Sequence, residues 1–191
     1  MNVHVINLQK RRDRLAAINA NFSAFRIPYV RFEAIEDKNG ALGCAKSHVA
    51  VLREFLQAHD NAHDEFLYVA EDDAKILTDI HPYIAEFAKS DADVLLLGFN
   101  TRRTVPYSPV FSRAYECYTT SFYVAKRHAV PRILACFEKS VLDLENKIVN
   151  PVDVAWHGLQ KELVFVIPKK RVVVQAAGYS DIEKKYVNYG V

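Results

Sequence analysis

The sequence predicts an α/β fold in which helices flank a mostly parallel central sheet. Two observations lead to this prediction. Short apolar segments alternate with segments of helical periodicity through the first half of the chain, and 50% of all residues are hydrophobic. Strands that alternate with helices in this way are typical of a layered fold around a parallel sheet. With 191 residues and no internal repeat, the chain is expected to form a single domain, residues 1–191.

The first half of the chain supplies the alternation. Strands are expected where short runs are apolar or β-branched, and helices where apolar residues recur every three or four positions. In chain order the expected elements are the strand 3–7, a helix from residue 10, the strand 27–32, a turn at 36–43, a helix at about 44–59, the strand 66–70, a helix at 80–88 and the strand 94–97.

The second half is less regular. Residues 101–118 contain Pro106 and Pro109 and show no clear period, so they are expected to form a long loop. The elements expected after this loop are the strand 119–125, helices at 130–137 and 153–161, and the strands 163–167 and 172–175.

Composition and charge argue against several classes of protein. A net charge of +2 is weaker than the basic excess of most nucleic-acid-binding domains. The three cysteines are far apart and form no CxxC motif, which predicts a reducing compartment. No apolar run reaches transmembrane length, and the N-terminal apolar stretch precedes the basic residues, the reverse of a signal peptide. A cytoplasmic protein is therefore expected. Peripheral membrane contact through the basic residues of 10–14 or 169–171 is a further hypothesis, which rests on charge alone.

Three consecutive carboxylates follow the third expected strand. Glu71, Asp72 and Asp73 come directly after the apolar run FLYVA, and in open α/β sheets ligands bind beyond the carboxyl ends of the strands. Like charges this close repel one another unless a cation offsets them, so a hard divalent metal is one interpretation. If the chain stays extended, Glu71 and Asp73 share a face. A solvated acidic turn is the alternative interpretation.

Two further clusters lie near expected strand and helix ends. In INLQKRRDR, Asn7 and Leu8 follow the first strand, and Arg11 and Arg14 carry the forked guanidinium that suits phosphate. In GALGCAKSH, two glycines lead into a helix start, and helix starts are natural anion sites. The alternatives are a solvated basic helix face for the first cluster and an ordinary turn and cap for the second.

A fourth cluster, NPVDVAWHG, places Asp153 at an expected helix start with His157 four residues later. That spacing puts both on one helix face, as a base with its orienting partner or as two metal ligands; a helix cap beside an unrelated histidine is the alternative.

His59 and His63 share the same spacing but flank a polar segment, which disfavours a metal site there. The cysteines lack an evident activating partner in sequence and are expected to be core thiols.

Taken in order, the motifs resemble glycosyltransferase family 25, which includes bacterial lipopolysaccharide glycosyltransferases and procollagen galactosyltransferases. The resemblance covers nearly the whole chain, and the GALGCAKSH and EDD pair is its most specific part. The matching motifs are INLQKRRDR (6–14), GALGCAKSH (40–48), EDD (71–73), TTSFYVAKRHA (119–129), PVD (151–153), and Gln175 followed by SDI (180–182).

The resemblance implies a GT-A-like, Rossmann-type fold and an inverting transfer of a hexose, galactose or glucose, from a UDP-sugar to a glycan or glycoconjugate hydroxyl. Asp73 first and Glu71 second would bind Mn²⁺ or Mg²⁺, which holds the diphosphate of the donor, while Asp153 would be the catalytic base. Ser180 and Asp181 would lie near the site as a flap. The residues that would line the nucleotide-sugar site are Asn7, Leu8, Arg11, Ser47, His48 and Asp72.

The chain also departs from the family pattern. Its segment between the second strand and the GALGC motif is short, and its C-terminal extension is minimal. Both regions commonly shape acceptor recognition, so the acceptor stays open. Two other hypotheses remain: a non-catalytic GT-A-like module that binds a nucleotide or glycan, and a metal-dependent phosphatase or nucleotidyltransferase. The sequence does not specify an oligomeric state.

Overall fold

The strands supply the frame on which the site is built. The structure is a computed structural model in which residues 1–58 and 65–188 are described. The strands in this part of the chain are β1 Val3–Asn7, β2 Tyr29–Glu33, β3 Phe66–Glu71, β4 Ala74–Ile76, β5 Val94–Pro106, β6 Phe111–Lys126, β7 Phe165–Pro168, β8 Val173–Gln175, β9 Gly178–Ser180 and β10 Lys185–Val187.

Eight of these strands form one sheet in the order β2-β1-β3-β6-β7-β5-β8-β4. Strand β1 pairs in parallel with β2 and β3, and β5 pairs in parallel with β7 and β8. Strand β6 runs antiparallel to β3, β5 and β7, and β4 runs antiparallel to β8. All strands of this sheet except β6 and β4 therefore point the same way, which confirms the mostly parallel sheet.

Helices cover both faces of the sheet. They are α1 Arg12–Ala24, α2 Gly40–Gln57, α3 His81–Lys89, α4 Val130–Glu145, α5 Val152–Ala155 and α6 Leu159–Glu162, with a 3₁₀ turn at Arg127–Ala129 before α4. This arrangement confirms the predicted α/β class with flanking helices.

Two apolar clusters hold these layers together. On one face, α2 and α4 pack through residues such as Leu52 and Phe137, and Trp156 joins them, fully buried among three aromatic rings. On the other face, Phe22 of α1 and Phe87 of α3 are fully buried against the sheet. Burying each such side chain stabilises the fold by roughly 1.5–3 kcal/mol relative to leaving it exposed.

The long loop predicted at residues 101–118 is wrong. Strands β5 and β6 continue there as an antiparallel arm, paired from Asn100 with Tyr118 to Pro106 with Ser112. The β5 limb of the arm is mostly exposed, whereas the β6 limb buries Phe111, Ala114 and Cys117. Cation–π contacts support the arm, such as the Arg103 guanidinium 5.3 Å from the Tyr115 ring centroid. Because these buried residues are three positions apart and the β5 limb carries no apolar alternation, the period of two that indicates a strand is missing.

Other predicted boundaries also shift. Helix α2 begins at Gly40 rather than near Cys44, because the Asn39 side chain caps it by accepting a hydrogen bond from the Leu42 amide at 3.4 Å. The helix predicted at 153–161 is two short helices, α5 and α6, separated at Trp156–Gly158. The pair His59 and His63 lies outside the described residues.

Candidate functional site

Two adjoining pockets lie at the carboxyl ends of the parallel strands. The first has a cavity volume of about 160 Å³ and lies between α2, the acids after β3 and the β9–β10 hairpin. The second, about 320 Å³, lies between the start of α2, the bulged middle of β6 and α5. The residues that line both are Cys44, Glu71, Gln175 and Ile182.

An arginine offsets the acidic cluster on the wall of the first pocket. Strand β3 ends at Glu71, and the chain turns at once. The Arg14 guanidinium, reaching over from α1, lies 2.7 Å from Asp72 Oδ1 and 3.2 Å from Asp73 Oδ2. Asn7 Nδ2 also donates to Asp72 Oδ2 at 2.8 Å. The acids are therefore a structured, compensated cluster and not a solvated turn.

The Asp73 carboxylate is the least satisfied member of this cluster. Its Oδ2 accepts a hydrogen bond from Gln175 Nε2 at 3.2 Å, whereas its Oδ1 is buried and has no hydrogen-bond partner in the described part of the chain. Burial and the neighbouring Glu71 charge raise the pKa of Asp73 to about 7. A buried oxygen without a partner, next to a pocket, is suited to a cation or a donor group of a ligand.

Glu71 faces a different set of partners. Its Oε1 accepts from Thr120 Oγ1 at 2.5 Å and lies 3.3 Å from His48 Nε2. Burial opposes ionisation, but the contacts with His48 and Thr120 lower the pKa of Glu71 below its ordinary value. The expectation that Glu71 and Asp73 share a face assumed an extended chain. Because the strand ends at Glu71, Asp73 shares the Arg14 guanidinium with Asp72 instead.

The residues expected to line a nucleotide-sugar site divide into two groups. Leu8, Ser47 and Asp72 line the first pocket, as do Glu71 and Asp73. Ser47 is nevertheless committed to the backbone: its hydroxyl donates to the Gly43 carbonyl at 2.7 Å and accepts from the Ile35 amide at 2.8 Å. Its hydroxyl therefore shapes the pocket wall.

The other expected residues stand behind this wall. Asn7 and His48 are 2% and 0% exposed, and each holds one of the acids by a side-chain contact. Arg11 turns to the β9–β10 hairpin, where its Nη1 lies 2.5 Å from Asp181 Oδ2 and 3.1 Å from the Tyr179 carbonyl oxygen. The structure thus brings all eight of the expected donor-side residues to one region, five of them on the pocket surface.

The β9–β10 hairpin closes one side of the first pocket. Arg14 Nη2 donates to the Tyr179 carbonyl at 2.9 Å, and Ser180 and Asp181 line the pocket. The hairpin packs closely on the start of α2, because a Cβ at Gly40 would lie 2.9 Å from Ile182 Cα. Glycine is therefore required where the hairpin meets the helix.

Asp153 lies in the second pocket, on α5, and the Thr119 backbone amide donates a hydrogen bond to it. Strand β6 carries three residues, 119–121, between the partners of Gly98 and Asn100, where β5 carries one. This bulge puts Thr119 at φ 70°, a costly conformation for a β-branched residue. It also directs Thr120 towards Glu71. Burial and the Glu71 charge raise the pKa of Asp153 above its ordinary value.

His157 has a different neighbour from the one its spacing suggested. Helix α5 ends at Ala155, and the His157 ring packs edge-on to Tyr118 with centroids 4.5 Å apart. Burial lowers the pKa of His157. The His157 ring thus contacts Tyr118 and the Cys117 backbone, and the charge of Asp153 opposes the lowering of its pKa.

Sequence reasoning did not assign roles to three residues of the shared wall and its surroundings. Gln175 holds Asp73, Thr120 holds Glu71, and Cys44 faces both pockets. Cys44 was expected to be a core thiol. Its position four residues before His48 on α2 was the available signal, since that spacing places both on one helix face.

No family model matches the sequence, and no curated protein matches it. Solved structures do match the fold. A197 from STIV is 15% identical and aligns over 97% of this chain and 92% of its own, with a TM-score of 0.57. A glycosyltransferase involved in glycosylation of the major capsid of PBCV-1 is 12% identical and aligns over 96% and 95%, with a TM-score of 0.46. Mouse xyloside xylosyltransferase 1 is 12% identical and aligns over 86% and 70%, with a TM-score of 0.44.

At these identities the likeness is one of fold, and the resemblance to family 25 stays a prediction. The match to A197 extends over nearly the whole of both chains. Among residues 1–58 and 65–188, none of the helices combines the length and the apolar character that a membrane crossing requires.

Proposed function

We propose that the protein is an inverting, metal-dependent glycosyltransferase that moves a hexose, galactose or glucose, from a UDP-sugar to a hydroxyl of a glycan or glycoconjugate. One observation carries the proposal. A charged pocket and a second pocket share a wall at Glu71, with the partly unsatisfied Asp73 on one side and Asp153 on the other. A donor and an acceptor that must react need two sites that meet in this way.

The first pocket is the donor site in this proposal. Asp73, with Glu71 second, would hold Mn²⁺ or Mg²⁺, because carboxylate oxygens suit hard cations and Asp73 Oδ1 has no partner among the described residues. When bound, such a metal offsets the negative charge of the diphosphate leaving group. Leu8 and Ser47 would shape the pocket, and Asp72 would lie nearer the sugar.

The β9–β10 hairpin would have to move for a nucleotide to bind in the first pocket. A cavity of about 160 Å³ is smaller than the roughly 300–1,000 Å³ of most ligand pockets. Arg11 and Arg14 now bind Asp181 and the Tyr179 carbonyl, oxygen groups that resemble phosphate oxygens in charge or polarity. We infer that the diphosphate replaces these partners and that the hairpin moves as the donor binds.

Asp153 is the general base of the proposed transfer. Its carboxylate takes the proton of the acceptor hydroxyl while that oxygen forms a bond to the anomeric carbon. The bond between the anomeric carbon and the diphosphate breaks on the opposite face, so the configuration inverts. A pKa raised by burial makes Asp153 a stronger base than an exposed carboxylate.

Further features are consistent with this activity, although the proposal does not depend on them. We propose that residues 1–191 act as one domain of glycosyltransferase family 25. The free thiols of Cys44, Cys117 and Cys136 suit a reducing, cytoplasmic setting, as in lipopolysaccharide assembly. The acceptor remains defined only by class, as a glycan or glycoconjugate.

A donor panel tests the proposal. UDP release is measured from UDP-galactose, UDP-glucose and other nucleotide sugars, with Mn²⁺ and with a chelator, for wild type, Asp73→Asn and Glu138→Gln. Glu138 is a matched control, since its carboxylate pairs with Arg53 on the surface. We expect turnover that requires metal, is lost in Asp73→Asn and is kept in Glu138→Gln. Tight UDP binding without turnover of any donor would identify a non-catalytic nucleotide-binding module, and cleavage of nucleotides without a sugar would identify a phosphatase or nucleotidyltransferase.

A further inference from the structure

A cysteine, a histidine and a glutamate meet in the wall between the two pockets. Cys44 and His48 lie one helical turn apart on α2, and Glu71 ends strand β3 opposite them. One ligand atom from each residue, a sulfur, a ring nitrogen and a carboxylate oxygen, lies within 4.8 Å of the others. Three different metal-binding groups thus converge from two elements of the fold.

The spacing of His48 and Glu71 fits a shared ion as well as a long hydrogen bond. Nε2 and Oε1 are 3.3 Å apart, longer than the roughly 2.9–3.0 Å typical of an N–H···O bond. Two bonds of about 2.0–2.1 Å that meet at a tetrahedral angle place nitrogen and oxygen about 3.3–3.4 Å apart. The observed separation is therefore close to one edge of a tetrahedral zinc site.

Neighbouring side chains also fix the orientation of His48 and Glu71. His48 is fully buried, and its Nδ1 lies 3.2 Å from the Tyr123 hydroxyl, while the two rings stack with centroids 5.8 Å apart. Thr120 Oγ1 donates to Glu71 Oε1 at 2.5 Å. Metal-binding histidines and carboxylates are typically fixed by partners of this kind, which set the ring orientation and the tautomer.

We propose that Cys44, His48 and Glu71 bind a zinc ion. A thiolate and an imidazole favour zinc over Mg²⁺ or Mn²⁺, so this site differs in chemistry from the carboxylate site at Asp73. Glu71 is named for both sites; in this proposal it ligates zinc, and the donor metal rests on Asp73. Three protein ligands leave a fourth position, and Cys44 and Glu71 both line the pockets from which water or a ligand can fill it. An ion there occupies the wall through which a donor and an acceptor would have to meet.

Cobalt provides the test, because Co²⁺ takes the place of zinc and reports its ligands by colour. The full chain, freed of metal with a chelator, is titrated with Co²⁺ as wild type, Cys44→Ser and Cys136→Ser. Cys136 is the matched control: a half-buried free thiol on α4. We expect one tetrahedral cobalt with a sulfur-to-cobalt charge-transfer band in wild type and Cys136→Ser, bleached by Zn²⁺, and loss of that band in Cys44→Ser.

The proposal is overturned if wild type shows no sulfur-to-cobalt band, or if Cys44→Ser keeps it. A second measurement needs no variant and guards against misfolding. X-ray absorption of the zinc-loaded wild type is expected to show one sulfur at about 2.3 Å and nitrogen or oxygen ligands at about 2.0–2.1 Å. A shell of nitrogen and oxygen alone would contradict it. Neither experiment uses a nucleotide, so failure of the zinc site is distinguished from failure of sugar transfer; the two proposals share only Glu71.

Discussion

The two pockets share a wall but differ in how their charges are arranged. In the first, the carboxylates of Asp72 and Asp73 are held by Arg14, and Asp181 is held by Arg11. The second is lined by three acidic residues, Glu71, Asp153 and Glu183, among hydroxyl and amide groups, and the Thr119 amide donates to Asp153. In the first pocket arginines offset part of the acidic charge, whereas the described lining of the second contains no lysine or arginine.

The difference follows from where each pocket is built. The first forms at the carboxyl ends of parallel strands and beside a helix that brings arginines, so charged groups converge there. The second forms at an irregularity in β6, where three residues replace one and aim backbone and hydroxyl groups inwards. A pocket rich in exchangeable ion pairs suits a diphosphate, and a pocket of carboxylates, hydroxyls and amides suits a sugar hydroxyl.

The largest effect is expected from a substitution that changes the second pocket alone. Asp153→Asn keeps the shape and a hydrogen-bonding group but cannot take a proton. We expect kcat for sugar transfer to fall by roughly 10²–10⁴-fold, as for the loss of a general base, while UDP affinity stays unchanged. Steady-state kinetics and calorimetry check this. If UDP affinity falls together with kcat, the two pockets are not functionally distinct.

A second test adds a methyl group to the wall of the first pocket at Gly43. A Cβ at Gly43 would lie 2.7 Å from the Ile35 carbonyl oxygen, a backbone atom that cannot move aside alone. Gly43→Ala is therefore expected to destabilise the protein by about 1–3 kcal/mol, measured by denaturant unfolding. Gly158→Ala is the control, because a Cβ there meets no atom within 4 Å and the backbone is already helical. Equal stability of both variants would show that α2 has room to shift.

A smaller effect is expected at the β9–β10 hairpin. Asp181→Asn removes one of the two carboxylates that hold Arg11; the other, Asp13, stays with its Oδ2 2.8 Å from Arg11 Nη2. Because such partly exposed ion pairs contribute about 0.2–1 kcal/mol, UDP affinity should rise by at most about five-fold. Glu138→Gln, which breaks the surface pair with Arg53, should leave it unchanged. Weaker UDP binding in Asp181→Asn would mean that the carboxylate assists the donor and does not compete with it.

The last test follows the charge of the first pocket with pH. The folded state raises the pKa of Asp73 from 3.8 to about 7, so it binds that proton more tightly than the unfolded chain does. Stability from this group is therefore present at low pH and is lost as the pH rises from about 4 to about 7. Thermal unfolding with a chelator should show this decline in wild type and a smaller one in Asp73→Asn. An unchanged slope would assign the decline to other groups.

The sequence predicted what depends on local pattern. Apolar runs located the parallel strands, and the position of Glu71–Asp73 after one of them located the first pocket. The β5–β6 arm, the β6 bulge and the β9–β10 hairpin were not predicted, since their strands lack the alternation of apolar and polar residues that indicates a strand. The partners of the acids were not predicted because they are distant in sequence: Arg14, Thr120 and Gln175 reach the acids across 49 to 102 positions.

The most direct test of the central claim, that Asp73 makes the first pocket a metal-dependent donor site, is the affinity for UDP with and without Mn²⁺. Calorimetry on wild type should show at least about ten-fold tighter UDP binding with Mn²⁺, a difference of about 1.4 kcal/mol, and Asp73→Asn should lose this gain. Equal UDP affinity of the wild type in Mn²⁺ and in chelator, or a full Mn²⁺ effect in Asp73→Asn, would contradict the claim.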